Sequence, residues 1–209
     1  MEITDRMKRT VVISRYNEPT DWIKSIPCNY IVYNKGEDIK DSEISKDNII
    51  KVPNEGREAE TFLRYIVSHY DQLPDSIVFL QGNPFDHHPN TLSDLKLEEF
   101  GGILKMGGQT FCDRNGNNSY PGLPVYQIQK ILMPELDPEV FNFTAGAQYM
   151  IKKEYIINKP LSWWEKVLGL YNYYWFSNIE SGYGHKPGVF IAHVFERIWE
   201  YLFKYEIPK

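Results

Sequence analysis

The stretch NEGREAETFLRYIVSHYDQLPDSIVFLQ, residues 54–81, decides how this chain is read. Phe62, Leu63, Ile66, Val67, Tyr70 and Leu73 recur at spacings of one, three and four, which lays one apolar stripe along a helix. Asn54 is placed to cap the start of that helix, and Pro74 stops it. The segment 75–81 that follows is a continuous apolar run ending in Gln81, the pattern of a strand buried on both faces inside a parallel sheet. A helix feeding such a strand is half of a β-α-β unit.

Working outward, the same alternation continues. Residues 9–16 form a short apolar run ended by Asn17-Glu18-Pro19, and residues 28–36 repeat the pattern, closing on the turn Asn34-Lys35-Gly36. A short helix fits 18–26 between them, and 48–54 is a third brief strand stopped at Pro53. Residues 101–125 are rich in Gly, Asn and Pro and are expected to be a long irregular surface segment. Residues 141–157 read as a strand pair or a strand running into a helix, and 161–175 and 189–205 as helices. The expectation is one α/β domain over 1–209, with its core at about 11–203. It is a layered fold with a mixed, mainly parallel sheet flanked by helices.

Composition narrows the partners. An apolar fraction of 42% and a charged fraction of 24% are those of an ordinary soluble globule. The net charge of −5 argues against a nucleic-acid partner, whose phosphates must be neutralised by Lys and Arg. With only Cys28 and Cys112, no disulfide framework exists, so a reducing, cytoplasmic setting is expected. The first residues lack the apolar core of a signal peptide, and no run of about 18 apolar residues is present to span a membrane.

Ligands of open α/β sheets bind beyond the carboxyl ends of the strands. That rule gathers three polar turns: Arg15-Tyr16-Asn17-Glu18, Asn34-Lys35-Gly36, and Gln81 through His88. In the last, Asp86 and His88 stand two apart and would face the same way in an extended segment, a donor pair suited to Mn²⁺ or Zn²⁺. The other reading is that Asp86 caps a turn beside half-exposed histidines. The triplet Asp86-His87-His88 also resembles that of the phosphoesterases named for it, which hold two metal ions. Those place an Asp-rich motif after the first strand, and here no Asp-x-Asp occurs at all.

Arg57 and Glu58 open the long helix, where unpaired N–H groups favour a phosphate and Gly56 would allow close approach. Alternatively, Glu58 and Glu60 simply complement the helix dipole. Ala145-Gly146-Ala147 serves either a ligand or tight packing. Glu196-Arg197, set between Phe195 and Ile198, is either a structural ion pair or a functional acid with its partner. His185 and His193 have no partner visible in the sequence.

The segments VVISRYNE, YIVYNKG, PNEGREAETFLRYIVSHYDQLPDSIVFLQG, FTAGAQYMIKKEYI and FERIWEYLF resemble family 3431 of the domains of unknown function. The layout is in turn similar to nucleotide-sugar glycosyltransferases of the GT-A type. That resemblance implies a GT-A-like, Rossmann-like fold and transfer of a sugar from a nucleotide-diphosphate donor to a saccharide or glycoprotein acceptor. It places Tyr16, Asn17 and Glu18 at the nucleotide, with Arg15, Asn34, Lys35, Arg57 and Gln81 around the donor. Ala145, Gly146 and Ala147 border the sugar. Asp86 and Glu196 are the implied catalytic carboxylates, Glu196 as general base. Asp86 with His88 stands where Asp-x-Asp would hold a divalent metal, Mn²⁺ or Mg²⁺. Without a metal, Arg57 and Lys35 are the available cations. The alternatives are a non-catalytic nucleotide- or carbohydrate-binding domain, and a metal-dependent hydrolase built on Asp86, His87 and His88.

Overall fold

In a computed structural model of the chain, residues 9–117, 120–177 and 188–208 are described. His185 lies outside them. The first strand, β1 (Arg9–Arg15), is followed by a 3-10 turn at Asp21–Ser25 rather than the expected short helix. Then come β2 (Asn29–Asn34), β3 (Ile49–Lys51), the long helix α1 (Arg57–His69) and β4 (Ser76–Gln81). The decisive stretch thus folds as read, with one correction. The residue at the head of α1 is Gly56 at φ 66°, not Asn54. A glycine there turns the chain left-handed into the helix, a conformation that asparagine two residues earlier cannot supply for it.

A short helix α2 (Thr91–Asp94) leads to β5 (Ile103–Lys105), β6 (Gln109–Asp113), β7 (Gly116–Asn117) and β8 (Tyr120–Pro121). Residues 101–125 are therefore not an irregular loop. These strands are two to five residues long, too short to show a hydrophobic period. Helix α3 (Val125–Leu132) and β9 (Val140–Thr144) follow, and a 3-10 turn at Ala145–Ala147 joins β9 to β10 (Tyr149–Lys152). Helices α4 (Glu154–Ile157), α5 (Leu161–Trp175) and α6 (Phe190–Lys204) complete the described chain. Of the two expectations for 141–157, the strand running into a helix is met by β10 and α4, whereas β9 and β10 belong to different sheets and do not pair with each other.

The main sheet has six strands in the order β3-β2-β1-β4-β10-β5. β3, β2, β1 and β4 are parallel, whereas β10 runs antiparallel to both β4 and β5. The fold is therefore mixed α/β with a mostly parallel sheet. A second, antiparallel sheet runs β8-β7-β6-β9.

Alternation along each strand divides the core. Val12 of β1 and Phe79 of β4 meet Phe62, Leu63 and Ile66 of α1, Trp164 and Tyr171 of α5, and Phe195, Trp199 and Phe203 of α6. Each such fully buried side chain contributes roughly 1.5–3 kcal/mol. The opposite face, Val11, Ile13, Val78 and Leu80, is covered by Ile23, Ile44, Leu95 and Met106 from turns and short segments. Long helices thus cover one face, and turns and short segments cover the other. Among the described residues no helix is long and apolar enough to cross a membrane.

Candidate active site

The strand order places β1 and β4 side by side with their onward connections leaving in opposite directions, β1 toward β2 and β4 toward β10. Such a switch point opens a crevice beyond the carboxyl ends. A cavity of about 240 Å³ lies there, with Gln81 at the end of β4 in its wall. Arg57 and Glu58 enter it from the start of α1, His87 from the turn after β4, and Gly146 and Ala147 from the turn before β10. Glu196 and His193 of α6 and Tyr120 of β8 close it.

Two backbone pairs frame this cavity. Gly56 and Arg57 have φ of 66° and 44°, and Gly146 and Ala147 have φ of 80° and 54°. Arg57 and Ala147 are the non-glycine residues with positive φ among the described residues, and both line the cavity. A left-handed residue with a Cβ is strained by about 1–2 kcal/mol and persists where the surroundings enforce it. The enforcement is visible. The buried Tyr171 hydroxyl donates to Gly56 O (2.8 Å), and Lys35 Nζ donates to the carbonyls of Glu55 and Arg57. On the other side Gly146 N–H donates to Glu196 Oε1 at 2.8 Å. A Cβ on Gly146 would stand 2.5 Å from His87 Cδ2, so glycine is what lets the imidazole lie against that turn.

The two glutamates differ in their surroundings. Burial holds the Glu58 carboxyl above the usual carboxylate range, and the charge of Glu196 pushes the same way against the pull of Arg57 and Lys35. Glu196 Oε2 is paired with Arg197 at 3.1 Å. Arg197 is buried, with its guanidinium 5.0 Å from the Tyr120 ring centre and 4.7 Å from that of Phe143. That sandwich, with an Nη1 donation to His193 O, fixes the arginine and through it the Glu196 carboxylate. The ion-pair alternative for Glu196-Arg197 is met, with Arg197 the buried member, and Glu196 also lines the cavity. His193 stacks on Tyr120 with ring centres 4.3 Å apart.

Of the residues expected at the site, Arg57, Gln81, Gly146, Ala147 and Glu196 come together. The rest do not line the cavity. Arg15 is buried and spends its guanidinium on Asn34 Oδ1 and on the carbonyls of Tyr16, Glu18 and Glu37. Asn34 returns a hydrogen bond to Glu37 O, and Asn17 Oδ1 accepts from Glu37 N–H. Glu18 Oε2 accepts from Tyr16 N–H at 2.7 Å and lies against Gly82, whereas Tyr16 itself is half exposed. Lys35 is buried against Glu60 at 3.4 Å, and its ammonium is depressed chiefly by burial. Ala145 N–H donates to Gly108 O.

The Asp-His-His triplet is dispersed. Pro84–Asp86 is a 3-10 turn, so residues two apart do not share a direction as they would in a strand. Asp86 is exposed, His87 faces the cavity, and His88 Nε2 is bonded to Asp94 Oδ2 at 2.7 Å. Among the described residues no three His, Cys, Asp or Glu stand together as metal ligands. The thiols of Cys28 and Cys112 are both pushed up to about 11 by burial, so neither is a ready nucleophile at neutral pH.

Glu58, His193 and Tyr120 line the cavity although sequence reasoning did not place them there. Glu58 carried a partial signal, the glycine-led helix start. Tyr120 carried none, because it reaches the cavity from a different sheet.

No curated protein matches the chain in sequence. Residues 10–100 match the profile of the family described as Protein of unknown function (DUF3431). The match takes in the first three segments of the resemblance and ends before its two C-terminal ones. It therefore covers β1 to β4 with α1, and so Arg57, Glu58, Gln81 and His87 of the candidate site, while Tyr120, Gly146 and Glu196 lie beyond it.

Proposed function

We propose that this chain is a glycosyltransferase of GT-A-like fold that moves a sugar from a nucleotide-diphosphate donor to a hydroxyl of a saccharide or glycoprotein acceptor. The observation that carries the reading is the cavity at the switch point. It sets two glutamates of different surroundings, two histidines and an exposed arginine around one space of about 240 Å³.

In the proposed reaction Glu196 takes the proton of the acceptor hydroxyl as the new C–O bond forms at the anomeric carbon. The bond from that carbon to the diphosphate oxygen breaks, and the diphosphate leaves with the electron pair. Arg57, at the start of α1, faces that departing charge, as does the positive end of the helix. Glu58, whose carboxyl burial pushes above the usual carboxylate range, offers that carboxyl to a sugar hydroxyl from the same cavity wall. Glu196 is held for its task by the Gly146 N–H and by Arg197.

The GT-A resemblance implies a divalent metal at Asp86 and His88, and the donor set there does not fit one well. One carboxylate is exposed, and the imidazole nitrogen is already bonded to Asp94. Neutralising the leaving group then falls to Arg57, because Lys35 is committed to α1 and Glu60.

The test is release of nucleoside diphosphate from a panel of nucleotide sugars, with and without Mn²⁺, by the wild type and by Glu196→Gln. Turnover reduced about 100-fold or more in Glu196→Gln, with donor binding retained, is the expected result. Donor binding with no turnover of any sugar would instead identify a non-catalytic nucleotide-binding domain. A Glu196→Gln variant as active as wild type would refute the assignment of the base.

A further inference from the structure

Four residues beyond Glu196 on α6 stands Glu200, on the same side of the helix and about 6 Å along its axis. It lines a second cavity of about 490 Å³ together with Lys105, Gln109, Asn142, Tyr201 and Lys204. Glu200 binds Lys105 Nζ at 2.6 Å and also Lys204, and these two lysines hold its carboxyl below the usual range despite burial. Tyr201 OH is fixed between Asn142 N–H and Val140 O. The charged groups are thus largely paired with one another. The side-chain amides of Gln109 and Asn142 have no partner among the described residues. Beside Asn142, directly opposite it in the β6–β9 pairing, lies Phe111, 68% exposed. Residues opposite one another in an antiparallel pair share a face.

The two cavities share no wall residue, but the same two elements contribute to both. Helix α6 gives Glu196 to one and Glu200 to the other. The segment from β9 into the following turn gives Asn142 to one and Gly146 to the other. An exposed aromatic ring beside free amides and a paired Lys-Glu-Lys set is the chemistry that receives a hydroxyl-rich ligand. The ring covers the C–H face of a sugar, and the amides and charged pairs meet its hydroxyls.

We infer that this groove binds a neutral saccharide chain, the acceptor of the transfer reaction, with Phe111 as the stacking platform and Gln109 and Asn142 as hydroxyl-reading residues. The inference rests on the glycosyl-transfer reading for the word acceptor, but the saccharide site itself does not depend on it. The chain would lie along α6 so that its end reaches Glu196.

The experiment titrates neutral tetrasaccharides of glucose, mannose, galactose and N-acetylglucosamine into wild type, Phe111→Ala and Asn142→Ala by calorimetry. Release of nucleoside diphosphate to water from the donor panel is measured in parallel. Because Phe111 and Asn142 are exposed, both variants are expected to fold. The expected result is that one tetrasaccharide binds, about five- to tenfold more weakly to Phe111→Ala and measurably more weakly to Asn142→Ala, with donor hydrolysis unchanged. Equal binding by wild type and Phe111→Ala, or no saccharide binding by a wild type that turns over donor, would overturn the groove and leave the transferase reading standing. Saccharide binding that depends on Phe111 in a protein that turns over no donor would support the groove while the transferase reading fails. Binding confined to inorganic phosphate or anionic saccharides, and indifferent to Phe111, would also overturn it, since Lys105 and Lys204 would then be the recognising groups.

Discussion

Replacing Arg57 by glycine should make the protein more stable than replacing it by alanine, although both remove the same charge. Arg57 sits at φ 44° and its side chain is exposed, so neither variant loses a buried contact. The backbone carbonyl that Lys35 holds is present in both. What differs is the left-handed backbone. Alanine keeps its cost of about 1–2 kcal/mol, and glycine removes it while giving up about 0.4–1 kcal/mol through a freer unfolded chain. The difference spans about 0–1.6 kcal/mol and centres on about 0.8 kcal/mol in favour of glycine. For a chain of 209 residues this is roughly 1–4 °C in Tm. Scanning calorimetry on Arg57→Gly, Arg57→Ala and wild type reads it directly, and nucleoside-diphosphate binding to the same three proteins supplies the functional side. The expected pattern is a higher Tm for Arg57→Gly than for Arg57→Ala, with weakened donor binding in both. A Tm for Arg57→Gly equal to or below that of Arg57→Ala would refute the claim that strain is stored at this turn. Undiminished donor binding would remove Arg57 from the site.

Three further outcomes follow from the geometry. Lys35→Met should lower the unfolding free energy by about 1–3 kcal/mol, because it frees the Glu55 and Arg57 carbonyls at the start of α1 and removes one of the two cations on buried Glu60, Arg64 keeping the other. A denaturant midpoint unchanged from wild type would contradict that role. Gly146→Ala should cost about 1–2 kcal/mol for the left-handed backbone alone, and more if His87 cannot move aside from the new Cβ. A shift of the His87 ring resonances in NMR spectra, with the remaining imidazoles unmoved, would mark the cause. Lys159 is buried, and its ammonium is depressed by burial from 10.5 to about 7. Between about 7 and 9 the unfolded chain binds this proton more readily than the folded one, so stability should rise with pH; above 9 the Cys28 and Cys112 thiols, pushed up by burial from 9.0 to about 11, oppose the rise. Lys159→Met should flatten that rise, and Tm measured in steps across this range would expose a flat wild-type profile if the account is wrong.

How much of this was legible in the sequence varies by element. The helix in 54–81 and the strand after it were legible because their signals are local. A 3.6-residue stripe, a stopping proline and an unbroken apolar run act within about 20 residues. The same holds for α5 and α6. The strands between 101 and 121 were not legible. Each is short, alternates weakly and is held by partners far away in sequence, as Gln109 to Asp113 are held by Val140 to Thr144. The site shows the same division. Arg57 was legible from the glycine-led helix start, and Gln81 from the end of the central strand. Asp86 and His88 were chosen for their letters and an assumed extended backbone. The chain instead forms a 3-10 turn, which sends the three triplet side chains in different directions.

By itself, then, the sequence determined the elements whose signals repeat along the chain, their parallel alternation, and the end of the sheet where polar residues accumulate. The tertiary structure alone decided which of those polar residues face one another. Arg15, Asn34 and Lys35 have the residue types of a binding site, yet their donors are consumed by neighbouring carbonyls and by Glu60. Glu58, Tyr120 and His193 look ordinary in sequence, yet meet around Glu196. The physical reason is that hydrogen-bonding capacity is spent locally and first-come in the fold, whereas a cavity is made where α1, β8 and α6 converge. Convergence of elements more than 50 residues apart is a property of packing, and no local pattern of residues encodes it.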